Sequence, residues 1–406
     1  MFFGLRFRSG CTLVWSILCC TAAVSSATDA FDPPALYLTW QHDPTSTLTV
    51  QWLTVDTTKA EVYFRQPGDG TWKIASGESH PLPSSVRTVH MVELRGLSVR
   101  ADYEFCFAPG EKVFKFRTMP KDLSQPLRFI EGGDVFHERK WMDDMNELAA
   151  KFDPAFVVFG GDLAYARQRE EVPEKMERWN QFFDSWKNKA HTPDGRLIPM
   201  LVTIGNHEVT GFWGQPPEKA AGYYALFAMP GSRGYNCLDF GHYLSIFLLD
   251  SGITHSIDGA QRDWLQEQLA KRRRVTHVFP VYHIPAYPSA RPEVEGENGD
   301  YTQDIRKFWC PLFDRYGLKL AFEHHDHAFK RTVPIRAGKK DPKGIIYLGD
   351  GAWGVNLRKP DTQNPRWYIA RTESVRHFYV VTLFRKAREV LAVNEKGEIF
   401  DELYQH

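Results

Sequence analysis

Phe156-Val157-Val158-Phe159-Gly160-Gly161-Asp162-Leu163-Ala164-Tyr165 is a short apolar run that breaks on glycine and then presents a carboxylate and, three residues on, a phenol. An uninterrupted apolar run of this length predicts a strand buried on both faces, with Asp162 and Tyr165 released at its carboxyl end. The arrangement recurs along the chain. Gly133-Asp134 comes after Phe129-Ile130, and Gly205-Asn206-His207-Glu208 comes after the run from Met200 to Ile204. His283 ends the run that starts at Val278, and His325-Asp326-His327 comes after the run from Leu318 to Phe322. A single Asp or His in such a place is noise. Five segments bringing hard oxygen and imidazole donors to strand ends are what a site for two adjacent metal ions needs.

Further runs from Tyr243 to Leu249 and from Ile345 to Leu348 predict more buried strands, and Trp141 to Phe152, Val172 to Trp186 and Asp258 to Arg274 predict helices between them. This alternation marks residues 127–406 as an α/β domain, in which ligands gather at the carboxyl ends of strands. Asp258 is expected to cap the third helix, with Trp264, Leu265 and Leu269 as its apolar stripe. Its last turn, Lys271-Arg272-Arg273-Arg274, reads as a solvated end that complements the helix dipole rather than a nucleic-acid patch. The run from Phe378 to Phe384 is expected to complete a second sheet. The glycines at 133, 161 and 205 are expected to let the backbone turn sharply beneath the donors.

Residues 33–119 have a different texture: Leu48 to Trp52, Ala60 to Phe64, Val89 to Leu94, Tyr103 to Phe107 and Val113 to Phe116 alternate with period two between turn residues. Several half-buried strands without an intervening helix predict a small β-sandwich. The polar stretch from Thr118 to Pro126 is the expected linker. A length of 406 residues is consistent with two domains. Residues 1–27 hold Arg6 and Arg8, no acidic residue, an apolar stretch and the small residues Ser25-Ser26-Ala27, so they read as a cleaved secretory signal peptide; the expected location is secreted or periplasmic, with no membrane association after cleavage. Basic and acidic residues number 50 each, so the mature chain carries a formal charge of −2 and offers no electrostatic case for nucleic acid as a bulk partner. Cys106, Cys237 and Cys310 remain after the leader; a Cys237–Cys310 bridge and buried free thiols are both open readings.

The ordered donor set resembles the metallophosphoesterases, and Tyr165 narrows the resemblance to the purple acid phosphatases. That family carries Asp, then Gly-Asp-x-x-Tyr, then Gly-Asn-His-Asp/Glu, then a His after an apolar strand, then Gly-His-x-His. Leu97 and Tyr103, with Trp52 on an early strand, resemble the core and tyrosine corner of fibronectin type III domains, which plant-type members place in front. The implied fold is α/β: a fibronectin type III-like β-sandwich, then a metallophosphoesterase βαβ sandwich of two mixed sheets flanked by helices.

The resemblance implies one metal held by Asp134, Asp162, Tyr165 and His327 and a second held by Asp162, Asn206, His283 and His325, with Asp162 as the bridge. It implies Fe(III) at the tyrosine-ligated site, where a hard phenolate favours it, and Zn, Mn or Fe(II) at the other. The implied reaction is hydrolysis of a small phosphate monoester by in-line attack of a metal-bound hydroxide on phosphorus. His207 is the candidate to bind phosphoryl oxygens or protonate the leaving group, and Glu208 to orient a neighbour. Two other readings stay open: a phosphodiesterase of the same superfamily, and a non-catalytic phosphate-binding or surface interaction protein. The oligomeric state is open as well.

The chain departs from the pattern at three places. Phe136 stands where the family has a second glycine, and His324 replaces the glycine of Gly-His-x-His. The stretch after His283 lacks the family's extra histidines, which leaves Arg291 or Tyr287 as candidate phosphate contacts. Asp350 reads as a turn residue, and His137 and Glu138 as exposed loop residues.

Overall fold

Segments such as Glu61–Arg65, in which Val62 and Phe64 are buried and their neighbours only partly covered, build the front of the molecule. The computed structural model describes residues 31–55, 59–170, 172–228, 234–293, 298–349 and 351–406. The expected leader and Asp350 lie outside the described residues. The front strands are β1 (Ala35–Thr39), β2 (Leu48–Thr54), β3 (Glu61–Arg65), β4 (Lys73–Ser76), β5 (Glu78–Pro81), β6 (Thr88–Leu94), β7 (Asp102–Cys106) and β8 (Phe114–Arg117). They form two antiparallel sheets, β1-β2-β6-β5 and β4-β3-β7-β8. Strands β4 and β5 carry no sequence signal, because they are exposed edge strands without an apolar alternation. The Tyr103 hydroxyl accepts the Ser98 N–H at 2.8 Å, the contact that makes a tyrosine corner.

The remaining strands are β9 (Leu127–Gly132), β10 (Val157–Phe159), β11 (Met200–Val202), β12 (Asn236–Phe240), β13 (Leu244–Leu248), β14 (His277–Val281), β15 (Leu320–Phe322), β16 (Phe329–Thr332), β17 (Ile335–Arg336), β18 (Lys339–Lys340), β19 (Ile346–Gly349), β20 (Ile369–Glu373), β21 (His377–Leu383), β22 (Arg388–Asn394) and β23 (Ile399–Gln405). Two mixed sheets result, β11-β10-β9-β21-β22-β23 and β12-β13-β14-β15-β19-β16-β20. They face each other across an aromatic core in which Phe129 meets Phe279 and Phe322 meets Tyr379. The C-terminal strands complete one of these two sheets: β21 pairs antiparallel with β9, the strand that leads to Asp134.

Helices α1 (Arg139–Ala150) and α2 (Met176–Lys189) cover the first sheet, with Trp186 and Phe182 against Phe159. Helix α2 begins four residues later than expected, beyond Pro173, where buried Glu174 instead accepts from Trp179 and pairs with Arg167. Helix α3 (Ala221–Leu226) is short, and α4 (Ala260–Lys271) starts at Gly259, not Asp258. The Asp258 carboxylate is drawn to Arg262 at 2.9 Å and makes no cap. Leu265 and Leu269 form the buried stripe with Gln261, whereas Trp264 is only partly covered. Helices α5 (Asn298–Asp304) and α6 (Cys310–Tyr316) flank the second sheet.

The stretch expected as a linker is tied down at both sides, since Met119 N–H donates to Pro44 O and the Tyr243 hydroxyl to Pro120 O. Front strands also reach the end of α3: the Tyr37 hydroxyl and Gln51 Nε2 donate to Leu226 O, and His80 Nε2 lies 2.8 Å from Ala225 O. These contacts satisfy carbonyls that a helix end leaves without partners. Cys106, Cys237 and Cys310 are free thiols, so no Cys237–Cys310 bridge forms. Among the described residues no helix is long and apolar enough to cross a membrane.

Two core histidines give the fold an acid sensitivity. Burial lowers His277, aided by Arg388, to about 4, and burial lowers His377 to about 4 as well. Both are neutral in the fold but bind a proton near pH 6.5 once unfolded, so stability present above that pH is lost as the pH falls from 6.5 toward 4. His277→Gln and His377→Gln are each expected to reduce the loss between pH 7 and pH 5 by on the order of 2 kcal/mol. Denaturant titrations at the two pH values check this; an unchanged pH dependence contradicts it.

Candidate metal centre

Each donor segment leaves the carboxyl end of a strand. Asp134 follows β9, Asp162 and Tyr165 follow β10, Asn206 and His207 follow β11, His283 follows β14, and His325 and His327 follow β15. The parallel pairing of β9, β10 and β11, and of β13, β14, β15 and β19, brings these ends together at one edge of the sandwich. The backbone is bent hard there. Asp134, Asp162, Tyr165, His325 and His327 all have positive φ, between 53° and 80°, a conformation costly for residues with a Cβ and persistent only where surroundings impose it. Of the three glycines, Gly161 has a positive φ of 93°, but Gly133 and Gly205 do not. Gly205 is required by close approach instead: a Cβ there would lie 2.3 Å from Asp162 N.

The donors fall into two buried groups, Asp134, Asp162 and His327, and Asp162, His283 and His325, with ligand atoms within 4.8 Å of one another in each. Asp162 belongs to both. In the first group the Tyr165 hydroxyl donates to Asp134 Oδ1 at 3.0 Å and lies 3.2 Å from His327 Nε2. In the second, His283 Nε2 lies 3.0 Å from Asn206 Oδ1 and 3.2 Å from His325 Nδ1. Two buried atoms are left over: His325 Nε2 has no partner, and Asp162 Oδ2 has only His283 Nε2 at 3.3 Å, without a hydrogen bond. Buried polar atoms without partners are costly; a cation shared by the two groups would satisfy Asp162 Oδ2, while His325 presents Nδ1 to the second group. The donor set therefore fits two ions, one of them on an oxygen-rich face with a phenol.

Surrounding groups hold the donors in place. His283 Nδ1 is bonded to Gly160 O and His327 Nδ1 to Asn356 O, which leaves Nε2 of each ring facing the centre. Glu208 accepts the backbone N–H groups of Asp162, Leu163 and Gly205, each at 2.8 Å, so it orients the loop that carries Asp162. Burial, reinforced by Asp162, pushes its carboxyl up to about 8. Glu208→Ala strands three buried donors and is expected to weaken metal retention about 10- to 100-fold, the usual size for loss of such a support. Metal content after dialysis against graded chelator checks it.

Burial favours neutral forms across the centre, and fixed charges modify that. Tyr165 is raised far above its usual range by burial and by Asp134 and Asp162, so the protein alone keeps it a phenol and only a bound cation would ionise it. Asp162 is lowered, since the nearby histidines outweigh burial. His283 is raised to about 9 because Asp162 and Asp134 outweigh burial.

His207 sits beside this cluster. Its backbone N–H donates to Asp162 Oδ1 at 2.7 Å, its Nδ1 lies 3.2 Å from Arg167 O, and its ring packs 4.3 Å from that of Tyr165. Arg291 Nε donates to His325 O at 3.1 Å, which puts its guanidinium beside the same histidine. Tyr287 is not available to a ligand: it is buried against Tyr347 and Tyr368. Phe136 is buried under the guanidinium of Arg178, a packing role that glycine lacks. His324 turns away from both donor groups toward Glu131.

Three features escape a reading of the sequence alone. His137 is no plain exposed residue, since its ring packs 4.4 Å from Tyr165 and 5.4 Å from His327 and its Nδ1 accepts the Asn356 N–H. Phe212 and Trp213 reach the cluster from a loop without periodicity, Phe212 against His207 and Trp213 toward His325. Buried Asp326, between the two histidines, accepts the backbone N–H groups of Ser289, Ala290 and Arg291. Its place between His325 and His327 is the one available signal.

Comparison with known families agrees with this geometry. Residues 33–118 match the model of the purple acid phosphatase N-terminal domain, and residues 132–329 match that of the calcineurin-like phosphoesterases. The chain is similar to the purple acid phosphatases across both regions. Purple acid phosphatase 21 of Arabidopsis thaliana is 26% identical over 290 residues, covering 68% of this chain and 62% of that protein. An uncharacterized Mycobacterium tuberculosis protein is 26% identical over 372 residues, covering 81% of this chain and 65% of its own length. The chain thus spans less than two thirds of the length of these relatives. Among solved structures, a purple acid phosphatase from yellow lupin seeds superposes with a TM-score of 0.73 at 17% identity, covering 91% of this chain and 73% of that one. A structure of PhoD follows the same fold, with a TM-score of 0.64 at 12% identity over 89% of this chain and 87% of that one.

Proposed function

We propose that this purple acid phosphatase-like chain is an exported metal-dependent hydrolase of small phosphate monoesters. The observation that carries the reading is the pair of buried donor groups that share Asp162 while leaving Asp162 Oδ2 without a hydrogen bond. Asp134, Asp162, Tyr165 and His327 would hold one ion, and Asp162, Asn206, His283 and His325 the other. The phenol suits Fe(III) in the first pocket, while the amide and imidazoles of the second suit Zn, Mn or Fe(II). Two bound cations would polarise a phosphoryl oxygen and furnish a nucleophile from water near neutral pH.

The chain's own groups do the rest. His207, held through its backbone N–H and through Nδ1–H on the Arg167 carbonyl, would hold a phosphoryl oxygen or hand a proton to the departing alkoxide through Nε2 in its imidazolium form, which burial disfavours and an anionic phosphoryl group would favour. Arg291, anchored on the His325 carbonyl, places a positive charge for the remaining phosphoryl oxygens. Phe212 and Trp213 stand against one side of the cluster, where they would limit access of water.

Purified protein assayed with an aryl phosphate monoester and a bis-aryl diester, with and without chelator, tests this. Monoester turnover lost to chelator and restored by metal is the expected result. Turnover of the diester alone assigns the chain to the phosphodiesterases, and phosphate binding without turnover assigns it to binding proteins.

A further inference from the structure

His324 occupies a position where glycine belongs to the family pattern, and it is 1% exposed. Its Nε2 lies 2.7 Å from Glu131 Oε1, its Nδ1 lies 2.9 Å from Tyr282 O, and its backbone N–H donates to His283 O at 3.0 Å. Glu131, on β9, is fully buried. The imidazole also fills the space over two glycines: a Cβ at Gly160 would lie 1.8 Å from His324 Cε1, and one at Gly133 would lie 2.4 Å from Cδ2. One ring therefore touches the ends of β9, β10 and β14 as well as its own loop after β15. Those four segments carry Asp134, Asp162, His283 and His325, donors to both groups.

We propose that His324 and Glu131 are a coupled pair of positioning residues, a buried polar pin that sets the relative placement of the two metal pockets. The reading rests on the metal centre proposed above. Neither residue is tolerable alone. Glu131 without His324 is a buried carboxyl with no partner, and His324 without Glu131 is a buried ring nitrogen with no partner. Between them they cross-link strand ends that no backbone ladder joins directly, because β9 and β15 belong to different sheets.

The test is a double-mutant cycle on the full chain: His324→Gly, Glu131→Leu, both together, and Glu131→Gln. Three readouts are taken: melting of the metal-free protein, metal dissociation from the folded protein, and kcat against KM. Each severe single variant is expected to weaken metal retention about 10- to 100-fold and lower kcat with KM little changed. The double variant is expected to recover to within about tenfold of the parent, and Glu131→Gln, which keeps a hydrogen bond to Nε2, to within about threefold. Losses that simply multiply in the double variant overturn the coupling. Singles that melt earlier yet hold metal as tightly as the parent overturn the positioning role. A parent that binds no metal and cleaves no ester refutes the metal centre instead, and the metal-free melting cycle still decides whether the pair is coupled.

Discussion

Asp162→Asn is expected to lose both metal ions and to lower phosphate monoester hydrolysis by on the order of 10³ or more. Asp162 is the residue common to the two donor groups, so neutralising it weakens both pockets at once. Asparagine has nearly the same shape and keeps an oxygen to accept the His207 N–H, now bonded at 2.7 Å, so the loop geometry survives the change. What disappears is the negative charge and the second acceptor. His283, raised to about 9 chiefly because Asp162 attracts its proton, becomes easier to deprotonate, which by itself would favour metal binding. A net loss of metal therefore isolates the bridging role from that opposing effect. Metal-to-protein ratio and turnover, measured on the same preparation, decide it; near-normal activity would sink the assignment.

Tyr165→Phe is expected to abolish a visible absorption band that the iron-loaded parent carries, and to lower turnover about 10- to 100-fold. The ring is packed between His137, His207 and His327, and phenylalanine fills that place without new contacts. Its φ of 53° is equally strained for either residue, so the backbone cost is unchanged. Only the hydroxyl goes, and with it the one group in the cluster that becomes a phenolate donor when a trivalent cation lies nearby. Burial and two carboxylates hold the phenol protonated in the protein alone, so colour reports an ion at this site and no other feature of the chain. A parent fully loaded with iron yet colourless, or a variant that keeps its colour, rejects the ferric phenolate.

The donors are legible in the sequence because their strands are buried on both faces. Most of these strands are apolar runs, and polar residues in the loop just beyond each one lie at the sheet edge where ligands bind. Asp134, Asp162, Asn206, His283 and His325 all stand at such breaks. The same logic fails for residues whose meaning lies in a partner. Glu131 reads as a stray charge in a strand until His324, 193 positions away in the chain, is seen beside it. His137 reads as loop decoration until its ring meets Tyr165, and Phe212 and Trp213 lie in a loop that has no period to read.

What the chain determines by itself is a set of short-range facts: which runs become buried strands, where each one breaks, and which donor stands at the break, since burial and backbone preference act over a few residues. The tertiary structure alone decided the rest. It placed the C-terminal strands beside β9 and turned His324 away from the donor groups toward Glu131. It also bent Asp134, Asp162, Tyr165, His325 and His327 into a left-handed conformation that side chains resist. Those outcomes depend on which strand ends the topology brings together, a relation between distant segments that no local pattern encodes.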